Sequence, residues 1–151
     1  MNDAPLYRQR SRCDCWNYHN FTVEKFLHNT QHPEFSSELS LIAIGSASDA
    51  TASIAPDGKF AAFCESRIHT EDNKRNGRNE GWIGVLGTRR GFRQQGLGQA
   101  MLLTAMQRLK AKGIDTALLG VDAENPSGAL RFYESVGFEK VYTNISYVKN
   151  L

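Results

Sequence analysis

The most constraining feature of the sequence is a glycine-containing stretch, residues 88–99, that joins a strand pattern to a helix pattern. Gly96 and Gly98 allow the backbone there to approach a ligand closely. The helix pattern follows from apolar residues at helical spacing, Leu102, Met106 and Leu109. Backbone N–H groups at the start of a helix, backed by the helix dipole, suit phosphate groups. The stretch therefore predicts an anion-binding loop.

Two common phosphate-binding loops do not fit this stretch. A P-loop needs Lys and then Ser or Thr after Gly91-x-x-x-x-Gly96, but Leu97 and Gly98 stand at those positions. A dinucleotide-binding loop needs a glycine three residues after Gly98, where Met101 stands. The sequence therefore argues against both a nucleoside triphosphate loop and a dinucleotide fingerprint.

A third kind of phosphate loop does fit. The segment Arg93-Gln94-Gln95-Gly96-Leu97-Gly98 resembles the R/Q-x-x-G-x-G/A pyrophosphate loop of the GCN5-related N-acetyltransferase (GNAT) superfamily, which binds acetyl-coenzyme A. The preceding strand end, residues 86–88, is similar to that of the C-terminal domain of tandem, mycothiol synthase-like acetyltransferases. The resemblance extends over residues 39–151.

A second signature of the same superfamily follows downstream, at the separation that the family shows. It consists of an Asn near a helix start, an Ala, a Tyr and a Gly-Phe pair at the helix end. Here these residues are Asn125, Ala129, Tyr133, Gly137 and Phe138.

The resemblance implies roles for individual residues. Backbone groups of Leu86 and Thr88 would bind the pantetheine arm, and one backbone N–H would donate to the thioester oxygen. Asn125 would also bind the arm. Tyr133 would be the general acid that protonates the departing thiolate. An alternative for Tyr133 is a packing role in the core, since Ala129 and Val136 share its helical face. The residues assigned to the cofactor are Leu86, Thr88, Arg93, Gln94, Gln95, Gly96, Leu97, Gly98, Gln99 and Asn125.

The sequence leaves the general base without a single candidate. Gly84 stands where relatives often carry Glu or Asp, and no carboxylate lies between Gly81 and Asp115. Glu80, Glu65 or a chain of water molecules are the alternatives.

The expected fold is a single α/β domain over residues 1–151, of the GNAT type, with helices on both faces of a mixed, mostly antiparallel sheet that is splayed in its middle. Strands are predicted at 39–44, 59–68, 82–86, 116–121 and 141–148, with a long polar hairpin loop at 69–81. Helices are predicted from Thr22, from the glycine loop to Gly113, and from Asn125-Pro126 to Gly137. Residues 1–38 diverge from the family, whose first strand is shortened or missing here, so an exposed sheet edge and a homodimer are expected.

Charge and cysteine content indicate which partners and which cellular compartment to expect. The charge of +2, from 18 basic and 16 acidic residues, predicts neither a nucleic-acid nor a membrane partner. Three cysteines, Cys13, Cys15 and Cys64, and an N-terminus without an apolar run predict a cytoplasmic protein with reduced thiols and no metal. The histidines are expected on the surface without partners. A local positive field is expected from Arg89, Arg90, Arg93, Arg108, Lys110 and Lys112.

These observations favour an acetyl-CoA-dependent N-acetyltransferase that passes the acetyl group directly to a primary amine of a small molecule or peptide. The alternative is a non-catalytic acyl-CoA-binding module, either half of a tandem protein or a regulatory partner. Gly84 and the divergent residues 1–38 motivate that alternative.

Overall fold

A computed structural model describes residues 27–28, 30–45, 59–122, 128–143 and 149. The chain divides into two compact units. The larger unit lies within residues 20–120, and the smaller includes the described residues after 120. Among the helices that the structure describes, none is both long and apolar enough to cross a membrane.

The larger unit is built on a four-stranded sheet. Its strands are β1 (Ser40–Gly45), β2 (Lys59–Arg67), β3 (Glu80–Thr88) and β4 (Thr116–Leu119). The spatial order follows the chain, β1-β2-β3-β4. The first two pairings are antiparallel and the pairing of β3 with β4 is parallel. The prediction of a mixed, mostly antiparallel sheet is confirmed, and the four central strands fall where the sequence patterns indicate them.

Three α-helices have both ends within the described residues. They are α1 (Thr70–Asn76) and α2 (Leu97–Ala111) in the larger unit, and α3 (Ala129–Ser135) in the smaller one. Short 3-10 turns, Ser37–Leu39 and Arg90–Phe92, precede β1 and α2. The glycines predicted to end α2 and α3, Gly113 and Gly137, both have left-handed backbone conformations, as a helix C-terminus often requires.

Helix α2 packs against β1, β2 and β3 and forms the core with them. Leu102 and Leu109 of α2 are almost completely buried, as is Cys64 of β2. Burying a leucine side chain stabilises the fold by roughly 1.5–3 kcal/mol. Gly81 of β3 permits the close approach of the helix, because a Cβ atom there would lie 2.7 Å from Leu109 Cδ2. The packing of α2 on this face fixes where its N-terminus lies.

The β3 strand is paired on both sides over only part of its length. Its pairing with β4 runs from Glu80 opposite Thr116 to Ile83 opposite Leu119 and then stops. The pairing with β2 continues to Thr88, with a bulge at Gly84. Residues 84–88 therefore have no strand partner on the β4 side within the described chain. The sequence predicted a splay at this end of β3, and the pairing with β4 stops there.

The predicted polar loop at 69–81 was wrong in one respect, because it contains helix α1. Periodicity did not indicate this helix, since it buries no residue. Its charges are arranged to favour a helix, with Glu71 and Asp72 in the first turn and basic residues in the last. Gly77 ends it in the left-handed conformation.

The end of the chain departs from the predicted elements. Helix α3 begins at Ala129 with Gly128 as its N-cap, so the predicted start at Asn125-Pro126 was wrong. A φ of 76° places Gly128 in the region that glycine adopts at no steric penalty. Residues 141–143 are not in a strand, and the rest of the predicted strand at 144–148 lies outside the described residues. Most of the helix predicted from Thr22 also lies outside them, although residues 27, 28 and 30 are helical.

Candidate active site

The C-terminal half of β3 presents backbone polar groups on the side away from β2. The Arg89 N–H donates a hydrogen bond to the Ala61 carbonyl at 2.9 Å, and Thr88 is paired with Ala62. In an antiparallel pair this geometry turns the N–H and C=O of Thr88 away from β2. Strand alternation turns those of Leu86 the same way. These are the two residues whose backbone groups the sequence assigned to the cofactor arm, and both face the part of the sheet that β4 leaves unpaired.

Arg93 is fixed against the end of this strand. Its Nε donates a hydrogen bond to the Thr88 carbonyl at 2.9 Å. The residue is exposed and follows the turn Arg90–Phe92. A guanidinium carries five N–H donors, so one contact leaves the others available. The loop arginine thus brings a positive charge to the strand end, and its own contact occupies the Thr88 carbonyl.

The loop between Arg93 and α2 has an unusual backbone. Gln94 has a φ of 61° and is the one non-glycine residue with a positive φ among the described residues. Gly96 has a φ of 77° and is the N-cap of α2. A non-glycine side chain held in this region costs of order 1–3 kcal/mol, and such residues cluster at functional sites. The Gln95 side chain donates a 3.4 Å hydrogen bond to the Gly91 carbonyl within the loop.

The N-terminus of α2 has free backbone donors. Gly96 provides no side-chain cap. The Ala100 N–H bonds to the Gly96 carbonyl at 3.0 Å, but the N–H groups of residues 97–99 have no backbone acceptor in the described part of the chain. The first turn has no acidic residue, and the helix is 15 residues long. The end of such a helix carries a partial positive charge and attracts anions.

Fewer basic residues lie beside the loop than the sequence suggested. Arg89, Arg90 and Arg93 are exposed beside the loop. At the other end of α2, by contrast, Arg108 donates a hydrogen bond to the Glu38 carbonyl at 2.6 Å, and Lys112 pairs with the Glu38 carboxylate. Lys112 lowers the pKa of the Glu38 carboxyl, first through a hydrogen bond to that carboxylate and then through its charge. Arg108 adds a smaller electrostatic contribution. Fifteen helical residues span about 22 Å, so the basic residues at that end belong to a separate contact.

Tyr133 lies in the smaller unit, near the C-terminal end of α3. Its ring packs against Phe132, with ring centres 5.2 Å apart, and edge-on against Phe138 at 6.1 Å. The Phe138 N–H also donates to the Tyr133 carbonyl at 3.1 Å. The ring therefore belongs to an aromatic contact at the end of α3, a helix that buries no residue, and the role of its hydroxyl stays a prediction. Asn125 lies outside the described residues.

The two carboxylates considered as general bases both have basic partners. Glu65 accepts a hydrogen bond from Arg67 Nε at 2.6 Å and forms an ion pair with Arg67 Nη2 at 2.5 Å, and its side chain is 13% exposed. Glu80 lies 3.5 Å from Arg78. Gly84 is the extra residue of the β3 bulge. The nearest atom to a Cβ built there is the Glu65 carbonyl oxygen, at 3.9 Å.

Sequence analysis missed one pair of polar side chains in the larger unit. His69, expected to lack a partner, donates a hydrogen bond from Nδ1 to the Glu34 carboxylate at 2.7 Å. Its ring also meets the Trp82 ring edge-on, at a centroid distance of 6.5 Å. Glu34 and His69 are 35 residues apart in the chain. No local pattern could have revealed the pairing, because the turn before β1 and the end of β2 meet only in the fold.

Cys64 is almost completely buried in the core. Burial raises the pKa of its thiol to about 11, with a smaller lowering from the Ser66 hydroxyl. Among the described residues there is no cluster of His, Cys, Asp and Glu able to hold a metal ion. Cys13 and Cys15 lie outside the described residues.

The fold and the loop together define a family. The model of the acetyltransferase (GNAT) family matches residues 13–138. The chain therefore belongs to this family of acyltransferases.

Individual relatives give the same class. The mycothiol acetyltransferase of Streptomyces avermitilis is 34% identical over 91 residues, which are 60% of this chain and 27% of that protein. The chain covers between 21 and 36% of the length of eight mycothiol acetyltransferases that it matches.

Two solved structures share the fold. The ribosomal-protein-S18-alanine N-acetyltransferase of Escherichia coli has a TM-score of 0.56 and 23% identity, over 82% of this chain and 66% of that one. Aminoglycoside N-acetyltransferase AAC(6')-Iy, in complex with CoA, has a TM-score of 0.57 and 16% identity, over 100% of this chain and 97% of that one.

Proposed function

We propose that the protein transfers an acetyl group from acetyl-CoA directly to a primary amine, within a complex that holds both substrates. The observation that carries the proposal is the continuity of three features: the unpaired half of β3, the strained loop, and the uncapped start of α2. This arrangement offers hydrogen bonds to an extended amide-bearing arm at one end and to phosphates at the other. Membership of the acetyltransferase (GNAT) family supports it.

Each part of the cofactor has a group suited to it. The pyrophosphate suits the N–H groups of residues 97–99, the helix dipole and the charge of Arg93. The pantetheine arm carries amides that suit the outward backbone groups of Leu86 and Thr88, with Arg93 giving up the Thr88 carbonyl. Asn125 is proposed as a further contact to the arm. A related fold, AAC(6')-Iy, is in complex with CoA, which supports acetyl-CoA as the co-substrate.

The reaction needs a neutral amine, a polarised thioester carbonyl and a protonated leaving group. A backbone N–H in the unpaired half of β3 polarises the carbonyl, and the amine nitrogen attacks its carbon. The C–S bond then breaks, and Tyr133 supplies the proton to the thiolate of CoA. The acceptor is an amine of a small molecule or peptide, and the reaction takes place in the cytoplasm.

A second candidate function is acyl-CoA binding without catalysis, and one observation favours it. Gly84 has no side chain at the position where relatives often carry a carboxylate. Glu65, beside it, is already held by Arg67. In that case the chain would bind the cofactor and transfer nothing.

Ligand-induced stabilisation tests the binding step. Acetyl-CoA and CoA should each raise the melting temperature, because a ligand at 100 times its Kd stabilises the folded state by about 2.7 kcal/mol. NADH should cause no shift, because the loop does not fit a dinucleotide. Gly96→Ala strains the left-handed residue at the loop and should weaken the effect. Gly91→Ala is the matched control, since Gly91 has no positive φ and a Cβ there meets nothing within 4 Å. No shift with either CoA form from a folded sample would contradict the proposal.

Release of free CoA separates the two candidate functions. Acetyl-CoA is incubated with amino sugars, aminoglycosides, polyamines and peptides with free N-termini, and the thiol is measured. Transfer to any of them excludes a pure binding module. Tyr133→Phe should lower the turnover by about 10²-fold, whereas Tyr142→Phe, at a tyrosine that is 62% exposed, should leave it unchanged. Full turnover in Tyr133→Phe would remove that hydroxyl from the mechanism.

A further inference from the structure

The Glu34–His69 pair lies on the face of the sheet that α2 does not cover. Gly81 of β3 faces Leu109 of α2. Side chains alternate along a strand, so Trp82 points to the opposite face. The His69 ring meets Trp82 there. An amine that approaches β3 from the side away from α2 therefore meets His69 on that face.

The Glu34–His69 pair also lies near the position along β3 that the thioester of bound acetyl-CoA would reach. Trp82 is adjacent to Ile83, the last residue of β3 that pairs with β4. From Thr88 to Trp82 is six residues, or roughly 20 Å of strand. An extended pantetheine arm that starts from phosphates at the loop and follows β3 carries its thioester toward this end. Such an arm directs the reacting carbon toward the His69 end of β3.

The hydrogen bond with Glu34 determines what His69 can do. A carboxylate only accepts, so the Nδ1 of His69 carries the proton. In the neutral ring the other nitrogen, Nε2, then has the free lone pair. Within the described residues, Nε2 has no hydrogen-bond partner, and the side chain is 35% exposed. Glu34 thus fixes both the tautomer and the orientation of the ring.

We propose that His69 is the general base of the reaction and that Glu34 is its positioning residue; this inference rests on the proposed function. His69 Nε2 takes a proton from the acceptor ammonium, and the neutral amine attacks the thioester carbonyl. The C–S bond breaks, the thiolate takes a proton from the general acid, and the imidazolium of His69 releases its proton to solvent. This assignment supplies the group that Gly84 cannot.

Other charged groups share this face and bear on its electrostatics. They are Glu65 and Arg67 on β2, Glu80 on β3, and His32 and Glu34 in the turn before β1. Glu65 and Arg67 neutralise each other at 2.5 Å. Glu80 is 3.5 Å from Arg78. Glu34 is therefore the acidic partner that acts directly on His69.

His69→Gln tests the proposal, with His32→Gln as its matched control. His32 is also a histidine beside the Glu34 carboxylate, but its Nδ1 is 3.9 Å away and its side chain is 51% exposed. With an aliphatic amine that the wild type acetylates, His69→Gln should lower kcat/KM by about 10²-fold at neutral pH. His32→Gln should stay within about twofold of the wild type. Acetyl-CoA binding, read from the thermal shift, should be the same in all three proteins.

The pH profile distinguishes a base from a merely structural residue. Raising the pH toward the pKa of an alkyl ammonium, about 10.4, makes the acceptor neutral without help, so the deficit of His69→Gln should shrink as the pH rises to about 9. Glu34→Gln should give a smaller loss, and the double variant should be no worse than His69→Gln alone. A deficit that is constant with pH, or turnover equal to that of His32→Gln, would overturn the assignment. If the wild type acetylates no amine at all, the proposed function fails first, which is a different result.

Discussion

At single residues of the loop, the sequence predicts backbone features but not side-chain contacts. The motif predicted the positions of Arg93, Gly96 and the start of α2, because each is a local property of the backbone or the helix. It did not predict that Arg93 bonds to the Thr88 carbonyl, which depends on a side-chain conformation. The Glu34–His69 contact was beyond prediction, since it joins residues that meet only after the sheet forms.

Arg93→Gln should weaken acetyl-CoA binding by about tenfold. The variant loses the charge beside the loop and the guanidinium donors proposed to bind the phosphates, and hydrogen bonds to charged groups contribute about 1.5–3 kcal/mol. Lys110→Gln removes the same charge from an exposed position at the other end of α2, so it controls for net charge. Isothermal titration with CoA measures both variants. Equal losses in the two would mean that the effect is general electrostatic attraction.

Cys64 predicts a loss of stability in alkaline solution. Its pKa is raised from 9.0 to about 11 in the folded protein, so the unfolded chain loses this proton first as the pH rises. The stability contributed by the neutral thiol is therefore present below about pH 9 and falls between pH 9 and 11, by about 1.4 kcal/mol per pH unit. Urea unfolding of the wild type and Cys64→Ala across that range measures the effect. A fall of equal slope in Cys64→Ala would contradict it.

At the scale of the elements, strong apolar periodicity made β1, β2, β3 and α2 predictable. Helix α1 was not, because it buries no residue and is favoured only by its terminal charges and Gly77. The start of α3 was misplaced because Asn125-Pro126 is a good local start signal, whereas the helix begins after Gly128. Local signals thus identify the existence of an element better than its bounds.

The contact between α2 and β3 predicts unequal effects at two glycines of one strand. Gly81→Ala should destabilise the protein by about 1–3 kcal/mol, because the new Cβ lies 2.7 Å from buried Leu109 and 3.3 Å from Ile114. Gly84→Ala should be close to neutral, since its nearest neighbour is at 3.9 Å. Gly81→Ala should cost less in a Leu109→Ala background than in the wild type, so the two losses should be less than additive. Chemical unfolding measures all of these, and equal effects at both glycines would contradict this account of the packing.

For the whole molecule, the four-stranded sheet and α2 give the family fold, and the family model matches residues 13–138. A homodimer remains a prediction. Within the described sheet β1 is an edge strand. Ile42 and Ile44 of β1 are 59 and 57% exposed, and Phe60, paired with Ile44, is 62% exposed. Sedimentation should show a concentration-dependent dimer that Ile44→Lys converts to monomer. A wild-type monomer at all concentrations would exclude it.

The central claim is that the unpaired half of β3 and the start of α2 form one binding site for CoA. Amide NMR spectra recorded during a titration with CoA test it most directly. The N–H signals of Leu86, Thr88 and residues 97–99 should move together, with a single Kd. The account would be contradicted if these signals stayed in place while changes were confined to the basic cleft of about 500 Å³ that Lys74, Arg78 and Lys112 help to line.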